Sequence, residues 1–319
     1  MRRIDIFNHI LPDRYCWELD KLDVFLPLKN VVMLRDMEAR AEEVASHGGL
    51  EQVLTLVAPE VIDTVSLADG ARLAALANDE MARIVSERPQ CFPAGMATVN
   101  LRDMDGALKE LRRAIEELGL RGVQIATTCA GENLSEEKFL PFFEAMAGYD
   151  LPVLIHPCDG PNSKKDFIFN WPMETTWMMI NLATTDLFQR FPNLKLVTHH
   201  LGAMTSTFHN RIYTSYLREG FYTKKSGTPD AVTAYENLKK FYNDTALYGN
   251  CTAAIQAGID LFGIDHILFG TDAPLDGDRG PDGRGQTANT IASIERLSIS
   301  AEDKQQIFCG NALQLLNMA

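Results

Sequence analysis

The sequence predicts an α/β protein that folds as a (β/α)8 barrel. Eight short apolar segments alternate with longer amphipathic segments, several short segments are nearly continuous in Val, Ile and Leu, and polar residues follow where they end. Apolar strands without polar alternation are typical of parallel sheets that are covered on both faces. Eight strand–helix repeats favour a closed parallel barrel over an open sheet.

The strand candidates are short and are spread evenly along the chain. They lie at 3–7, 51–57, 92–99, 121–127, 151–156, 194–199, 239–244 and 266–271. Helical periodicity is clearest at 66–88 and 103–118, and further helices are predicted near 136–148, 173–190, 203–218, 249–262, 287–297 and 301–316. The first of these helices ends before Pro89 and the second before Gly119, and both residue types are common stop signals.

Two segments interrupt the alternation of strands and helices. Residues 13–35 form a long insertion after the first strand, and residues 274–286 form a Gly/Asp-rich loop after the eighth. Both follow the carboxyl end of a strand, and this is the face on which barrel enzymes carry their active sites. We expect one barrel domain over 1–319 with a loop insertion at about 13–35.

The composition argues against two classes of partner. The net charge is −13, whereas nucleic-acid binding relies on clustered Lys and Arg. No run of the sequence reaches the roughly 18 apolar residues that a membrane helix needs. Arg2 and Arg3 lead into a strand candidate and not into the apolar run of a signal peptide. We therefore expect a cytoplasmic protein with neither a nucleic acid nor a membrane as its partner.

Histidines and one aspartate collect at the predicted strand ends. His9 follows the first strand, His156 ends the fifth, His200 follows the sixth and Asp272 follows the eighth. In a barrel these ends converge on the axis, so the four side chains are predicted to form one polar site. His199 precedes His200, and because neighbouring strand residues point to opposite faces we expect only His200 to enter the site.

Imidazole and carboxylate groups are suitable ligands for Zn, Mn or Fe. The fourth strand carries no lysine that could bridge two metals, so at most one ion is expected. The residues alone leave open whether the site binds a metal or uses its histidines and aspartate directly.

Several longer segments, spread in order along nearly the whole chain, can be compared with the motifs of known families. They are IDIFNHILP at 4–12, RGVQIATTCAG at 121–131, LPVLIHPCDG at 151–160, WPMETT at 171–176, FPNLKLVTHHLGAM at 191–204, FYNDTA at 241–246 and FGTDAPLD at 269–276. Together they resemble the amidohydrolase superfamily, in particular the branch of aminocarboxymuconate-semialdehyde decarboxylase and the γ-resorcylate-type decarboxylases. The resemblance implies a metal-dependent-hydrolase type of TIM barrel.

The resemblance also implies roles for individual residues. His9, His156 and Asp272 correspond to metal ligands, and His200 corresponds to the catalytic histidine, with Asp272 as a second proton-handling group. Arg211, eleven residues after His200, corresponds to an arginine that holds a substrate carboxylate, which suits the bidentate geometry of guanidinium. From their positions beside these motifs, Asn8 and Trp171 are further candidates for substrate contact.

One departure from the family pattern concerns the metal. The first strand of the family ends in His-x-His or Glu-x-His, whereas this chain has Phe7 at the first of these positions. Phenylalanine cannot ligate a metal. Three outcomes follow: a site that binds one divalent ion, Zn or Mn, with altered occupancy, a metal-free site, or a site without activity.

The resemblance implies non-oxidative decarboxylation of a small aromatic or unsaturated carboxylic acid, that is, a carbon–carbon lyase. Metal-assisted hydrolysis or hydration of a lactone, an amide or an unsaturated diacid uses the same residues, so the sequence keeps both reactions open. A non-catalytic relative that only binds a ligand is the third interpretation, and Phe7 is its support. The resemblance also implies a homodimer.

Overall fold

We describe a computed structural model of the chain, which covers residues 1–159, 166, 168–220, 229–249, 251–275 and 285–319. The greater part of the predicted loop at 274–286 therefore lies outside the described residues. Among the helices that are described, none is long and apolar enough to cross a membrane.

Eight strand positions form the barrel, and two of them are split into two pieces. The barrel strands are Arg3–Asp5 with His9–Ile10, Leu50–Leu56, Ala94–Gly95 with Ala97–Thr98, Val123–Ala126, Val153–His156, Leu196–Thr198, Tyr242–Asp244 and Ile267–Leu268. Each pairs in parallel with the next along the chain. We refer to them as the first to the eighth barrel strand.

The ring closes between the eighth and the first barrel strand. The Ile6 amide donates to the carbonyl of Phe269 over 2.9 Å, and the Thr271 amide donates to the carbonyl of Phe7 over 3.1 Å. A parallel bridge between Asn8 and Ala273 continues this contact. The predicted (β/α)8 barrel is therefore confirmed.

Helices surround the barrel. The α-helices are Asp13–Lys21, Val32–Arg35, Met37–Ser46, Leu67–Glu87, Met104–Arg112, Leu140–Tyr149, Asn170–Ala183, Leu187–Arg190, Thr205–Arg211, Ala231–Leu238, Thr252–Phe262, Gln286–Glu295, Ala301–Gln305 and Asn311–Leu315. Three of them continue into π-helical turns at Arg113–Glu117, Ile212–Arg218 and Gln306–Gly310, and short 3-10 turns lie at Pro27–Asn30, Pro59–Thr64, Glu137–Phe139, His200–Gly202 and Ile264–His266. Thr128–Cys129 and Glu132–Asn133 form a small antiparallel hairpin after the fourth barrel strand.

The helical predictions hold at every predicted position, and the structure adds helices that the sequence reading did not assign. The insertion predicted at 13–35 contains the helices Asp13–Lys21 and Val32–Arg35, and Met37–Ser46 and Ala231–Leu238 are further additions. Asp13–Lys21 buries Tyr15, Cys16 and Leu19, and this helix packs against the helix Leu67–Glu87.

Apolar side chains fill the inside of the barrel. This inner core contains Ile4, Ile6, Phe7, Val53, Ala94, Met96, Leu154, Val197 and Leu268, all of them buried. A larger core lies between the strands and the surrounding helices. Phe7 is the member of the inner core nearest the carboxyl end of the first barrel strand, and its ring forms the floor of the site described next.

Candidate active site

The predicted strand ends do converge. His9 lies in the first barrel strand, His156 is the last residue of the fifth, and His199 follows the sixth. The His156 ring lies 5.2 Å from the His9 ring and 6.0 Å from the His199 ring between centroids. The histidines therefore form one cluster at the carboxyl end of the barrel, as the strand positions predict.

Asp272 lies between two imidazoles of this cluster. Its Oδ1 is 3.0 Å from His9 Nε2, and its Oδ2 is 3.6 Å from His200 Nε2. The Thr55 hydroxyl donates to the carbonyl of Asn8 and therefore accepts from His9 Nδ1 over 3.2 Å. This contact orients the His9 ring so that Nε2 faces the carboxylate. Asp272 and its two imidazoles thus form one ionic unit.

The charges in this unit support each other. Burial opposes ionisation of Asp272, but its contacts with His200 and His9 outweigh burial and hold its pKa below the usual range. Burial likewise opposes the charged form of His200, yet the contact with Asp272 and the charges of Asp272 and Asp244 raise the pKa of His200 above its usual value. The His200 side chain keeps 15% of its surface exposed, whereas His9 is fully buried. His200 is therefore the charged group of the cluster that a small molecule can reach.

His156 stays neutral at the opposite side of the cluster. Burial, followed by the charges of His9 and His199, lowers its pKa well below the usual value. Its Nδ1 is buried, and no group of the described residues hydrogen-bonds it. The Trp171 ring lies edge-on at 5.6 Å from it, and the indole N–H donates to Asp159 over 3.1 Å. The structure therefore places Trp171 beside the site, as the sequence predicts.

Phe7 lies among the histidines. Its ring stacks on the His199 ring at 3.5 Å and 15° between planes, and it meets the His9 ring edge-on at 4.7 Å. The rings of His156 and His200 lie at 5.8 and 5.9 Å. Phe7 is completely buried. The centre of the imidazole cluster is therefore occupied by hydrocarbon.

The expectation that only one of the adjacent histidines enters the site is wrong. Asp244, at the end of the seventh barrel strand, bonds His199 Nδ1 through Oδ2 and accepts the His200 amide at Oδ1 over 3.1 Å. The backbone leaves the extended conformation at His200, where φ is +58°, so the alternation of a strand no longer applies. Both imidazoles therefore face the cluster. Asp244 stands at a strand end in the quoted FYNDTA segment, and that position was the signal that could have identified it.

Backbone strain collects at the same place. His200, Leu201 and Asp272 have φ of +58°, +55° and +65°, a left-handed conformation that costs residues other than glycine about 1 kcal/mol or more. Two of the three strand ends that carry the ionic unit, the sixth and the eighth, thus contain a strained residue. Such strain is common at functional sites, where the surrounding contacts hold it.

Two predicted substrate contacts lie elsewhere. Asn8 is buried in the barrel wall, where its amide donates to the carbonyls of Asp5 and Val53 and its oxygen accepts from Arg40. Arg211 is exposed and lines an outer groove of about 450 Å³ between the helices Asn170–Ala183 and Thr205–Arg211. The structure therefore does not bring Asn8 or Arg211 to the cluster. The side chain of Asn8 makes its hydrogen bonds within the barrel wall, and Arg211 lies on an outer helix face.

The predicted metal ligands do not fit a resident divalent ion. His9 and His200 face Asp272, and His199 faces Asp244, so the contacts of the donors fall into two groups. Over the described part of the chain, no group of three or more His, Cys, Asp or Glu side chains is arranged to hold an ion. Metal sites in proteins need three or four converging ligands. His9, His156 and Asp272 lie in one cluster, but they are not drawn together as a ligand set.

The chain belongs to the amidohydrolase family, whose model matches residues 35–318. It is 29% identical over 258 residues to 2-amino-3-carboxymuconate-6-semialdehyde decarboxylase of Dictyostelium discoideum, with 78% of this chain and 68% of the relative covered. It is 27% identical to gamma-resorcylate decarboxylase of a Polaromonas strain, with 92% and 93% covered.

Solved structures confirm the fold class. The crystal structure of a dihydroxybenzoic acid decarboxylase from Polaromonas, with bound manganese and the inhibitor 2-nitroresorcinol, has a TM-score of 0.82 at 23% identity and covers 99% of this chain and 97% of its own. A 5-carboxyvanillate decarboxylase from Sphingomonas paucimobilis has a TM-score of 0.83 at 23% identity, with 100% and 99% covered. At this identity the likeness concerns the barrel and not the reaction.

Proposed function

We propose that this protein is a non-oxidative decarboxylase, a carbon–carbon lyase that acts on a small aromatic or unsaturated carboxylic acid. The observation that carries the proposal is Asp272 held between His9 and His200 at the mouth of a barrel whose relatives are decarboxylases. Such a reaction needs a positioned proton donor beside a pocket that accepts a flat, apolar body. In this proposal His200 is the proton donor, and the rings of His156 and Trp171, 5.6 Å apart, form the aromatic wall against which the substrate packs.

The proposed step transfers one proton and breaks one bond. The bond between the substrate carbon and its carboxylate carbon breaks, and its electron pair stays on the substrate carbon. That carbon takes a proton from His200, so the carboxylate anion and one proton become the decarboxylated product and CO2. Asp272 stabilises the imidazolium before transfer, and solvent returns the proton through the exposed edge of His200. An enolic or phenolic oxygen donates electron density to the carbon that carries the carboxylate, so that this carbon can take the proton, and this requirement defines the proposed substrate class.

The dimer that the resemblance implies is part of the proposal. The outer groove carries exposed apolar side chains, Met173 at 45%, Trp177 at 42% and Phe208 at 43% exposure, and large apolar patches on a surface are typical of protein–protein contacts. Light scattering on the purified protein measures the mass of the assembly directly.

A substrate panel tests the reaction. The purified protein is incubated with hydroxybenzoic and unsaturated diacids, and CO2 release and product mass are recorded. We expect CO2 release that falls by about 100-fold or more in His200→Gln and in Asp272→Asn, because each removes one part of the proton-transfer unit. His47→Gln is the matched control, since His47 lies on the outside near Glu43.

Other products would point to the other interpretations. A product that has gained water would support hydrolysis or hydration at the same residues. Ligand binding that is unchanged in all variants, with no turnover in any of them, would support a binding protein and would contradict the decarboxylase.

A further inference from the structure

We infer that Phe7 and the pairing of the donors around it keep divalent ions out of this barrel end, so that the site is a metal-independent acid–base site centred on Asp272. The inference rests on the proposed function for the reaction that the site performs. Its evidence on ion binding is independent of that reaction.

The position of Phe7 is the first step. A ring at the middle of four imidazoles removes one nitrogen donor and replaces it with a hydrocarbon face in contact with His199 and His9. An ion needs ligands or water on every side, because an unpaired charge beside apolar surface is costly. The ring contributes neither, and its own burial excludes water from that side of the cluster.

The second observation concerns the contacts that the other donors of the cluster already make. His9 uses Nδ1 with Thr55 and turns Nε2 to Asp272, while His199 gives Nδ1 to Asp244. Asp272 has one oxygen toward His9 and the other toward His200. Each oxygen of Asp272 therefore already lies close to an imidazole nitrogen, and an ion would have to enter between these atoms to bind.

The third observation concerns the remaining imidazole nitrogens of the cluster. Within the described residues, His156 Nδ1, His199 Nε2 and His9 Nε2 are buried without a hydrogen-bond partner, although His9 Nε2 lies 3.0 Å from Asp272 Oδ1. The rings of His156 and His199 lie 6.0 Å apart, with Phe7 packed against both. An ion held by the nitrogens of these two rings alone would have no carboxylate in direct contact, so its charge would be uncompensated in a buried place. These two nitrogens are better suited to hydrogen bonds with neutral groups such as water.

Metal content tests the inference directly. Wild type, Phe7→His and Phe7→Leu are grown with added Mn2+ and Zn2+, dialysed against metal-free buffer and analysed by elemental mass spectrometry, and titration calorimetry with each ion gives the affinity. Phe7→Leu is the matched control, because it removes the ring without adding a donor. We expect no bound ion in wild type and in Phe7→Leu, and about one ion per chain in Phe7→His. The affinity of Phe7→His for the ion should be at least roughly 10-fold higher than that of wild type.

Two results would overturn the inference. One is a wild-type protein that holds one ion per chain and loses it in His156→Ala. The other is a Phe7→His variant that folds, as its circular dichroism shows, and binds no more metal than Phe7→Leu. If Phe7→His does not fold, the metal content of wild type still decides.

A chelator separates this inference from the proposed function. We expect the CO2 release of wild type to be unchanged after EDTA treatment, whereas a loss that Mn2+ or Zn2+ restores would contradict metal independence. A protein that releases no CO2 from any acid of the panel, and that also binds no metal, would refute the proposed function while the ion-binding result stands.

Discussion

At the scale of single residues, the mouth of the barrel carries an unusual carboxyl group. Glu60 lies on the 3-10 turn Pro59–Thr64 after the second barrel strand, and its Oε2 is buried and has no hydrogen-bond partner in the part of the chain that the structure describes. Burial, together with the charges of Asp159 and Asp63, raises the pKa of Glu60 to about 7. The folded protein therefore binds a proton at Glu60 more tightly than the unfolded chain does.

The sign of the resulting pH dependence follows from linkage. A pKa that folding raises contributes stability below the unfolded value, and this stability is lost as the pH rises to about 7. Glu60→Gln has no charge to gain, so we expect it to become more stable relative to wild type by about 2 kcal/mol between about pH 5 and about pH 8. Urea unfolding of both proteins at the two pH values measures the difference.

The comparison needs a control for general effects of removing a glutamate. Glu302→Gln changes an exposed side chain on the helix Ala301–Gln305, and we expect its difference from wild type to stay constant with pH. A Glu60→Gln curve that runs parallel to wild type over this range would show that Glu60 is not the group that couples folding to pH.

At the scale of elements, the sequence predicted the site through a rule of the fold. Polar residues after parallel strands meet at one end of a barrel, so the meeting of His9, His156 and Asp272 followed from strand positions alone. The rule of strand alternation failed at His200, because the backbone there adopts a left-handed conformation that the residue pattern does not predict. The sequence also marked Phe7 as a departure, but its stacking on His199 depends on contacts between strands that are far apart in the chain.

The helices that were missed are short, between four and ten residues long. Met37–Ser46 begins after Asp36, whose side chain accepts from the amides of Glu38 and Ala39, a cap that the sequence shows. Asp13–Lys21 has no side-chain cap and only nine residues, and its helical state depends on packing Tyr15 and Leu19 against its neighbours. The cap at Asp36 is therefore a signal by which the sequence predicts Met37–Ser46, whereas Asp13–Lys21 depends on its contacts in the folded barrel.

The strands around Phe7 pack closely enough that one glycine is required. A Cβ atom on Gly270 would lie 2.7 Å from the Cβ of Asp244 and 3.1 Å from that of Phe7. We expect Gly270→Ala to lower the free energy of unfolding by about 1–3 kcal/mol, because two strands must move apart, and to lower CO2 release through displacement of Asp244. Urea unfolding and the substrate assay measure the two effects.

A second glycine provides the matched control. Gly148 lies inside the helix Leu140–Tyr149, and an added Cβ there meets nothing within 4 Å. We expect Gly148→Ala to be neutral or to stabilise by about 0.5–1 kcal/mol through helix propensity. Equal losses in the two variants would contradict the close packing of the strands around Asp244.

At the scale of the whole molecule, polar groups tie the two ends of the chain across the closure of the barrel. Asp5, in the first barrel strand, accepts the amide and the hydroxyl of Thr271 over 3.1 and 2.7 Å. Gln52 donates to Asp5 over 2.9 Å and accepts from the buried Arg40 over 2.7 Å. This network joins the first, second and eighth barrel strands directly beneath the segment that carries Asp272.

Removal of one hydroxyl tests how much this network contributes to closure. Thr271→Val keeps the shape of the side chain, but it removes one donor to Asp5 and the acceptor of the Ala273 amide, both of them buried. We expect a loss of about 1–3 kcal/mol in the free energy of unfolding, because the Ala273 amide loses its partner and Asp5 loses one of its hydrogen bonds. CO2 release should fall as well, since Thr271 and Ala273 flank Asp272. The control is Thr64→Val, an exposed residue whose hydroxyl bonds within the 3-10 turn Pro59–Thr64. If both variants unfold at the same urea concentration, the hydroxyl of Thr271 is not what holds the eighth strand against the first, and closure must depend on the backbone bonds between the two strand ends.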